Sequence, residues 1–144
     1  MSKITIEQLA FPTTADLVDI LNLYKKIPGR TCSAAAYLDY LNDTWPTLGM
    51  FIVRNGKGII GYLHAERPHI LEPAYGYLLY VSSNGKVPAE ASLNALSMAE
   101  HWFGLFGAKK WKMNTTIRPK AWRRLYKNLK PSEYVILEKD ITNG

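Results

Sequence analysis

The feature that most constrains how this chain can fold is a turn signal between two runs of β-forming residues. Asn55-Gly56-Lys57 separates an apolar run over 49–54 from a second apolar run over 58–64. Asn-Gly is the strongest short hairpin signal, because a type I′ turn needs positive φ at both of its central residues. The sequence therefore predicts an antiparallel hairpin with a type I′ turn at Asn55-Gly56.

Two helices are predicted ahead of this hairpin. Thr13 or Thr14 can cap the first helix, over 15–26, and Ser33 can cap the second. An apolar stripe should form the buried face of the first helix, with Asp16 on the opposite, polar face. That stripe consists of Leu17, Val18, Leu21 and Tyr24.

Strands and helices alternate in the rest of the chain. The pattern predicts strands over 3–8, 75–82, 111–114 and 134–141, a long helix from Pro88 to Gly107, and a basic helix over 119–129. The element order is then β-α-α-β-β-β-α-β-α-β, in which strand-helix-strand units imply parallel pairing in the second half. We expect a single α/β (α+β) domain over 1–144, with a mixed central β-sheet flanked by helices.

Composition limits the class of protein. The chain has 144 residues and one cysteine, Cys32, so it cannot form an internal disulfide. No apolar run approaches the ~20 residues that a membrane-spanning helix needs. Three scattered histidines and one cysteine give no metal-ligand spacing. We therefore expect a cytoplasmic protein with no membrane segment and no metal.

Positive charge is concentrated towards the end of the chain. The net charge is +6, and nine of the 18 Lys and Arg residues lie within 109–130, where no acidic residue occurs. Such a field attracts polyanions, which could be nucleic acid, an acidic protein or the phosphates of a cofactor. The same residues could equally form a solvated basic helix face, and the sequence leaves these alternatives open.

The predicted order of elements resembles that of the Gcn5-related N-acetyltransferases over essentially the whole chain. The hairpin 51–62, in which Gly61 follows two aliphatic residues, is similar to the second and third strands of that family. The run 77–83 is similar to its fourth strand, whose end opens a cleft for the pantetheine arm of coenzyme A. The resemblance implies transfer of an acetyl group from acetyl-CoA to an amine by direct attack, with the acceptor undefined.

The start of the long helix resembles the pyrophosphate-binding motif of the family. Lys86 stands in the place of the basic residue, with Ala89 and Ala91 in the places of the small ones, and a second register uses Asn84 and Val87. Anions bind at helix N-termini because unpaired N–H groups and the helix dipole meet there. The coenzyme A contacts that the resemblance implies are Leu79, Tyr80, Val81, Asn84, Lys86, Val87, Ala89, Ala91 and Arg118.

A second resemblance lies in the basic helix. Ala121, Leu125 and Tyr126 fall in register with the fourth helix of the family, and Arg118 stands where asparagine is usual. The tyrosine of the family protonates the departing CoA thiolate, a role that suits a phenol as a weak acid. The resemblance therefore implies that Tyr126 is the proton donor.

A base must also take a proton from the acceptor amine. Glu72, His64 and His69 are candidates by their position near the third and fourth strands, and we take Glu72 as the predicted catalytic base.

A second class of function stays open at this point. The chain could be a non-catalytic binding or assembly protein on the same scaffold, using 109–130 to hold nucleic acid or an acidic partner. A fold does not by itself decide function.

Overall fold

The computed structural model describes residues 3–30, 32–113 and 139–140. The strands are β1 (Thr5–Gln8), β2 (Leu48–Asn55), β3 (Gly58–Glu66), β4 (Tyr75–Ser83) and β5 (Lys110–Lys112), and the helices are α1 (Thr14–Tyr24), α2 (Ala34–Thr44) and α3 (Ala89–Leu105). The predicted order is confirmed as far as β5. The predicted basic helix lies outside the described residues, and Lys139 and Asp140, assigned to the closing strand by the sequence, are not in a strand.

The five described strands form one mixed sheet in the order β1-β2-β3-β4-β5. The first three pairings are antiparallel, and β4 pairs with β5 in parallel. The mixed sheet and the parallel pairing in the second half are therefore as predicted. No helix in the described part of the chain is long and apolar enough to cross a bilayer.

The hairpin between β2 and β3 is confirmed, but the predicted type I′ turn is wrong. Asn55 pairs with Gly58, and among these turn residues only Gly58 has positive φ, at 129°. The Asn55 Oδ1 atom instead accepts a hydrogen bond from the Lys57 N–H at 2.8 Å. The carboxylate of Asp19 on α1 accepts the N–H of Ile59 at 3.1 Å. A Cβ at Gly58 would lie only 2.5 Å from that carboxylate. Position 58 therefore requires glycine because α1 approaches it closely.

Helix α3 covers one face of the sheet with a core that contains no ionisable side chain. Its fully buried members are Phe51, Val53, Ile60, Leu63, Ala65, Leu78, Ala91, Ala95, Leu96, Ala99, Trp102 and Phe103. Ile4 and Ile6, from the strand predicted over 3–8, pack against this core. We call this side the α3 face.

Helices α1 and α2 cover the opposite face, which we call the α1/α2 face. Its core contains Leu9, Ile20, Leu23, Tyr24, Tyr37, Leu41, Leu48, Met50, Ile52, Ile59 and Tyr62. His64 is also completely buried on this face, against the ring of Tyr37. The two layers therefore differ in chemistry, because only this one combines aliphatic packing with phenols and an imidazole.

The predicted buried face of α1 is wrong in detail. Its buried residues are Asp16, Ile20, Leu23 and Tyr24, whereas Val18 of the predicted stripe is half exposed. Asp16 is buried because it completes a capping box with Thr13, as the N-cap prediction allowed, and pairs with Arg54 Nη1 at 2.8 Å. The Arg54 guanidinium holds the pKa of Asp16 below its usual value.

Candidate active site

Strand β4 is irregular at the point where acyl-group contacts were predicted. Leu78 pairs with Ala65 and Tyr80 pairs with His64, so Leu79 is an extra residue in a β-bulge. The Leu79 side chain is 41% exposed, between neighbours that face the two cores. Because a bulge leaves its extra residue out of the strand ladder, the backbone of Leu79 has no paired residue on β3.

Among the described residues, the outer edge of β4 is only partly covered by β5. Their described pairing is limited to Tyr75–Lys110, Gly76–Trp111 and Tyr77–Lys112. Beyond Tyr77, the described residues provide β4 with no partner on that edge. The resemblance predicted the pantetheine cleft at this place.

The loop from β4 to α3 is shaped by its own side chains. The Ser83 Oγ atom accepts the N–H of Gly85 at 3.2 Å, and Asn84 Oδ1 accepts the N–H of Lys86 at 2.9 Å. Gly85 has a φ of 85°, a conformation that favours glycine. The Asn84 N–H donates to the Ile60 oxygen at 2.9 Å, so Asn84 fixes the loop to β3.

Helix α3 begins without a side-chain cap, unlike the other two helices. Pro88 occupies its N-cap position and makes no side-chain hydrogen bond, whereas Thr13 caps α1 and Ser33 caps α2, as predicted. The first backbone bond runs from the Ser92 N–H to the Pro88 oxygen at 3.1 Å. The N–H groups of the first turn therefore point out of the helix at the positive end of its dipole.

A cavity of about 230 Å³ lies between the sheet and the first half of α3. It is lined by Phe51, Val53, Gly61, Tyr62, Leu63, Val81, Ser82, Ser83, Val87, Ser92 and Ala95. A Cβ at Gly61 would lie 2.8 Å from the Val87 Cγ2 atom, so this glycine lets the loop approach β3. Of the predicted contacts, Val81 and Val87 therefore line the same cavity.

The predicted coenzyme A contacts fall in two neighbouring places. Leu79, Tyr80 and Val81 lie at and after the bulge, and Asn84, Lys86, Val87, Ala89 and Ala91 lie along the loop and the first turn of α3. Lys86 and Ala89 are exposed, whereas Ala91 is buried against the sheet. Tyr126 and Arg118 lie outside the described residues.

Glu72, the predicted base, lies in the loop before β4, at the opposite end of that strand from the α3 loop. Its carboxylate is 48% exposed and pairs with Lys112 Nζ at 3.0 Å. The Lys112 ammonium lowers the pKa of Glu72 below its usual value. His69 is exposed in the same loop, where its Nδ1 accepts the Leu71 N–H at 3.1 Å.

A polar cluster beside the bulge was mostly missed by the sequence reasoning, which named only His64 as one candidate. The His64 Nδ1 atom lies 2.7 Å from the Tyr37 hydroxyl, and burial raises the pKa of Tyr37, which stays protonated. Tyr80, opposite His64 on β4, packs edge-on against the rings of Tyr24, Tyr37 and His64. His64 Nε2 and the Tyr62 hydroxyl are buried without a hydrogen-bond partner among the described residues.

Glu66 completes this cluster at the end of β3. Its Oε2 atom lies 3.7 Å from His64 Nε2, and its other oxygen accepts a hydrogen bond from the Tyr40 hydroxyl. Burial by itself raises the pKa of Glu66, but interactions with His64 and Tyr40 outweigh it and lower the pKa. The spacing His64-Ala65-Glu66 was a usable signal, because residues two apart on a strand share a face.

Metal binding finds no support in this part of the chain. Within residues 3–30, 32–113 and 139–140, no three His, Cys, Asp or Glu side chains form a group that could hold an ion.

No protein-family model matches the chain, and no curated sequence matches it. Solved structures do. A transcriptional regulator from Bacillus halodurans C-125 is 15% identical with a TM-score of 0.71, covering 96% of this chain and 100% of its own. The aminoglycoside N-acetyltransferase AAC(6')-Iy in complex with CoA is 16% identical with a TM-score of 0.75, covering 97% and 96%. The NatC complex bound to Gag peptide and CoA is 16% identical with a TM-score of 0.68, covering 87% and 82%. The chain therefore has the fold of the Gcn5-related N-acetyltransferases, as its sequence predicted.

Proposed function

We propose that this protein is an N-acetyltransferase that moves an acetyl group from acetyl-CoA to an amine by direct attack. The observation that carries this proposal is the bulge at Leu79, followed in the chain by the uncapped start of α3. Two solved structures with the same fold contain CoA, which supports acetyl-CoA as the co-substrate. A cytoplasmic location and a single domain over 1–144 belong to the same proposal.

The pyrophosphate of acetyl-CoA would bind at the start of α3. The N–H groups of Ala89 and Ala91 belong to its first turn, and Lys86 adds a positive charge beside them. Glu90 opposes an anion there, and Pro88 supplies no N–H. Binding of the pyrophosphate would therefore depend on backbone N–H groups and on Lys86. Arg118, which the sequence predicts as a coenzyme A contact, would contribute a further positive charge.

The acetyl carbonyl would lie at the bulge. A backbone N–H of the segment Leu79–Val81 would polarise it and stabilise the negative charge that develops on oxygen. The amine nitrogen forms a bond to the carbonyl carbon as the C–S bond breaks. Tyr126 remains the predicted proton donor to the thiolate, and Glu72 remains the base predicted from the sequence.

A non-catalytic binding protein is the second candidate function. Lys109 and Lys110 are exposed at the described start of the basic stretch, and one structural neighbour is described as a transcriptional regulator. Nucleic acid held by this stretch would dissociate steeply with rising salt. Binding to RNA or DNA with that salt dependence, in a protein that does not respond to acetyl-CoA, would favour this candidate.

The proposal is tested first by thermal unfolding with and without millimolar acetyl-CoA, using ATP as a phosphate control. Ligand at 100 times its Kd stabilises a protein by about 2.7 kcal/mol. We expect a rise in Tm with acetyl-CoA well beyond that with ATP. Equal shifts with both ligands, or none, would reject the coenzyme site.

Acetyl transfer is then measured as thiol release with three classes of amine. These are neamine, a peptide with a free N-terminus, and n-butylamine. The first two correspond to ligands of structural neighbours, an acetylneamine bisubstrate analogue and the Gag peptide. Release that requires both acetyl-CoA and an amine is the expected result.

A further inference from the structure

We propose that Glu66, which lies beside His64 and accepts a hydrogen bond from Tyr40, binds the ammonium group of a cationic acceptor and takes its proton. This inference rests on the proposed acetyl transfer and names the acceptor side of that site. Glu66 replaces the exposed Glu72 as the proton acceptor.

Strand register places Glu66 beside the acyl-binding position. On β4, the bulged Leu79 lies between Tyr77, which pairs with Glu66, and Tyr80, which pairs with His64. Directly opposed residues in an antiparallel pair have Cβ atoms about 4.5–5.5 Å apart. Glu66 is therefore opposite a residue two positions before the bulged backbone that would polarise the carbonyl.

The environment of Glu66 leaves its carboxylate able to accept a cation. The side chain is 23% exposed, so one edge reaches solvent while the rest is enclosed. Tyr40 supplies one neutral hydrogen bond, and a carboxylate has about four acceptor positions. A charge-assisted bond from an ammonium group would use the remaining capacity.

His64 supplies an independent observation that points to a ligand. It is fully buried, and its Nε2 atom faces Glu66 without a hydrogen-bond partner in the described chain. Tyr37 holds the other ring nitrogen and so fixes the orientation of the imidazole. Buried polar atoms are normally satisfied, so a buried Nε2 atom without a hydrogen-bond partner, 3.7 Å from a mostly enclosed carboxylate, indicates a polar group bound there.

Glu72 is less suited to this role. Lys112 compensates its charge at 3.0 Å, and the carboxylate is half exposed to water. An arriving ammonium would have to displace Lys112, whereas within the described residues no lysine or arginine pairs with Glu66. Of these two described carboxylates, Glu66 is therefore the better ligand for an amine.

Helix α2 indicates the charge of the acceptor. Its residue Tyr40 contacts Glu66, and along 34–44 it carries Asp39 and Asp43 but no lysine or arginine. This is unusual in a chain with a net charge of +6. The helix that contacts Glu66 therefore adds no positive charge of its own, which is compatible with a cationic primary amine as the acceptor.

The step balances as follows. The amine arrives as an ammonium ion and transfers one proton to the Glu66 carboxylate. Its freed lone pair forms the C–N bond, the C–S bond breaks, and the nitrogen loses its second proton, which ends on the thiolate. Glu66 returns its proton to solvent through its exposed edge.

The first experiment needs no coenzyme. The chain has only three histidines, so the His64 ring resonances can be assigned and followed by NMR as n-butylammonium is added. We expect a saturable change in the His64 chemical shifts as n-butylammonium binds to wild type. Glu66→Gln should weaken the affinity for n-butylammonium at least about tenfold, because one charge-assisted contact is lost. Glu7→Gln is the control for loss of a carboxylate elsewhere, since Glu7 lies on edge strand β1, where it is half exposed and pairs with Arg54. Equal binding by wild type and Glu66→Gln would overturn the proposal.

The second experiment measures acetyl transfer to n-butylamine. We expect Glu66→Gln to lower kcat/KM by about 10²–10⁴, the range for loss of a general base, with activity partly recovered at high pH. Its Tm shift with acetyl-CoA should match that of wild type. Failure of the proposed function is recognised separately, because wild type would then show no acetyl-CoA shift while the NMR result stands. Activity that survives in Glu66→Gln but is lost in Glu72→Gln would return the role of base to Glu72.

Tyr40→Phe tests the positioning role without removing the carboxylate. Loss of the phenol hydrogen bond raises the pKa of Glu66, because that bond favours the ionised form. We therefore expect the acid limb of the kcat/KM profile to move to higher pH. A profile that falls uniformly without moving would mean that Tyr40 is only structural.

Discussion

The two faces of the sheet use the same strands for different purposes. On the α3 face, twelve buried residues form a core with no ionisable group. On the α1/α2 face, buried tyrosines surround His64, and the cluster extends to Glu66 at the surface. Apolar packing needs no polar partner, whereas a buried hydroxyl or imidazole nitrogen costs stability unless it is hydrogen-bonded. The comparison teaches that one face stabilises the fold and the other positions chemical groups.

The largest expected effect is on the α3 face. Phe103→Ala removes an almost fully buried ring from that core and should lower the free energy of unfolding by about 3–5 kcal/mol. Leu105→Ala, at a mostly exposed position on the same helix, is the control and should stay within about 0.5 kcal/mol. Denaturant unfolding measures both. A loss below about 1 kcal/mol for Phe103→Ala would contradict the assignment of this face as the main stabilising core.

The α1/α2 face offers a matched pair of hydroxyl deletions. Tyr37→Phe removes the partner of the buried His64 nitrogen and should cost about 1–3 kcal/mol. Tyr62→Phe removes a buried hydroxyl that has no hydrogen-bond partner in the described chain, so it should be neutral or stabilising. The same denaturant experiment measures the difference. Equal effects would mean that the hydrogen bond to His64 contributes nothing.

Acid sensitivity separates the two faces further. The pKa of Asp16 is lowered by Arg54, so its contribution is present above the unfolded pKa and is lost as pH falls through the folded value. Wild-type Tm should therefore fall between about pH 5 and pH 3, and Asp16→Asn should lose less of its neutral-pH Tm over that range. Thermal unfolding across this pH range is the measurement. Parallel curves for the two proteins would contradict the argument.

The smallest effect is expected at the rim of the α3 face. Lys86→Ala should weaken acetyl-CoA binding about two- to fivefold. This fold-change corresponds to the free energy of about 0.3–1 kcal/mol that a charge near an exposed helix terminus contributes. Lys57→Ala, an exposed lysine on the β2–β3 turn, is the matched control. Calorimetric titration with acetyl-CoA compares them. Identical affinities would remove Lys86 from the predicted contacts.

Local signals predicted what local interactions decide. Thr13 and Ser33 cap their helices, and Gly107 follows the end of α3 with positive φ, because caps and turns depend on a few adjacent residues. The turn type and the buried face of α1 were wrong because contacts distant in sequence decide them. Asp19 contacts Ile59, and Arg54 draws Asp16 inward.

The candidate site was predictable only in part for the same reason. The α3 loop is contiguous, so its residues could be named in advance. The bulge at Leu79 has no signature in the alternation of the strand, since it arises from pairing with β3. Tyr37 and His64 are 27 residues apart, and only folding brings them together.

The uncapped start of α3 has a consequence for local unfolding. A helix end without side-chain partners frays, so we expect its first amides to exchange hydrogen with solvent faster than those at the capped starts of α1 and α2. An anion bound there would slow that exchange before any other part of the helix responds. The least protected of the three described helix starts would therefore be the part that reports occupancy first.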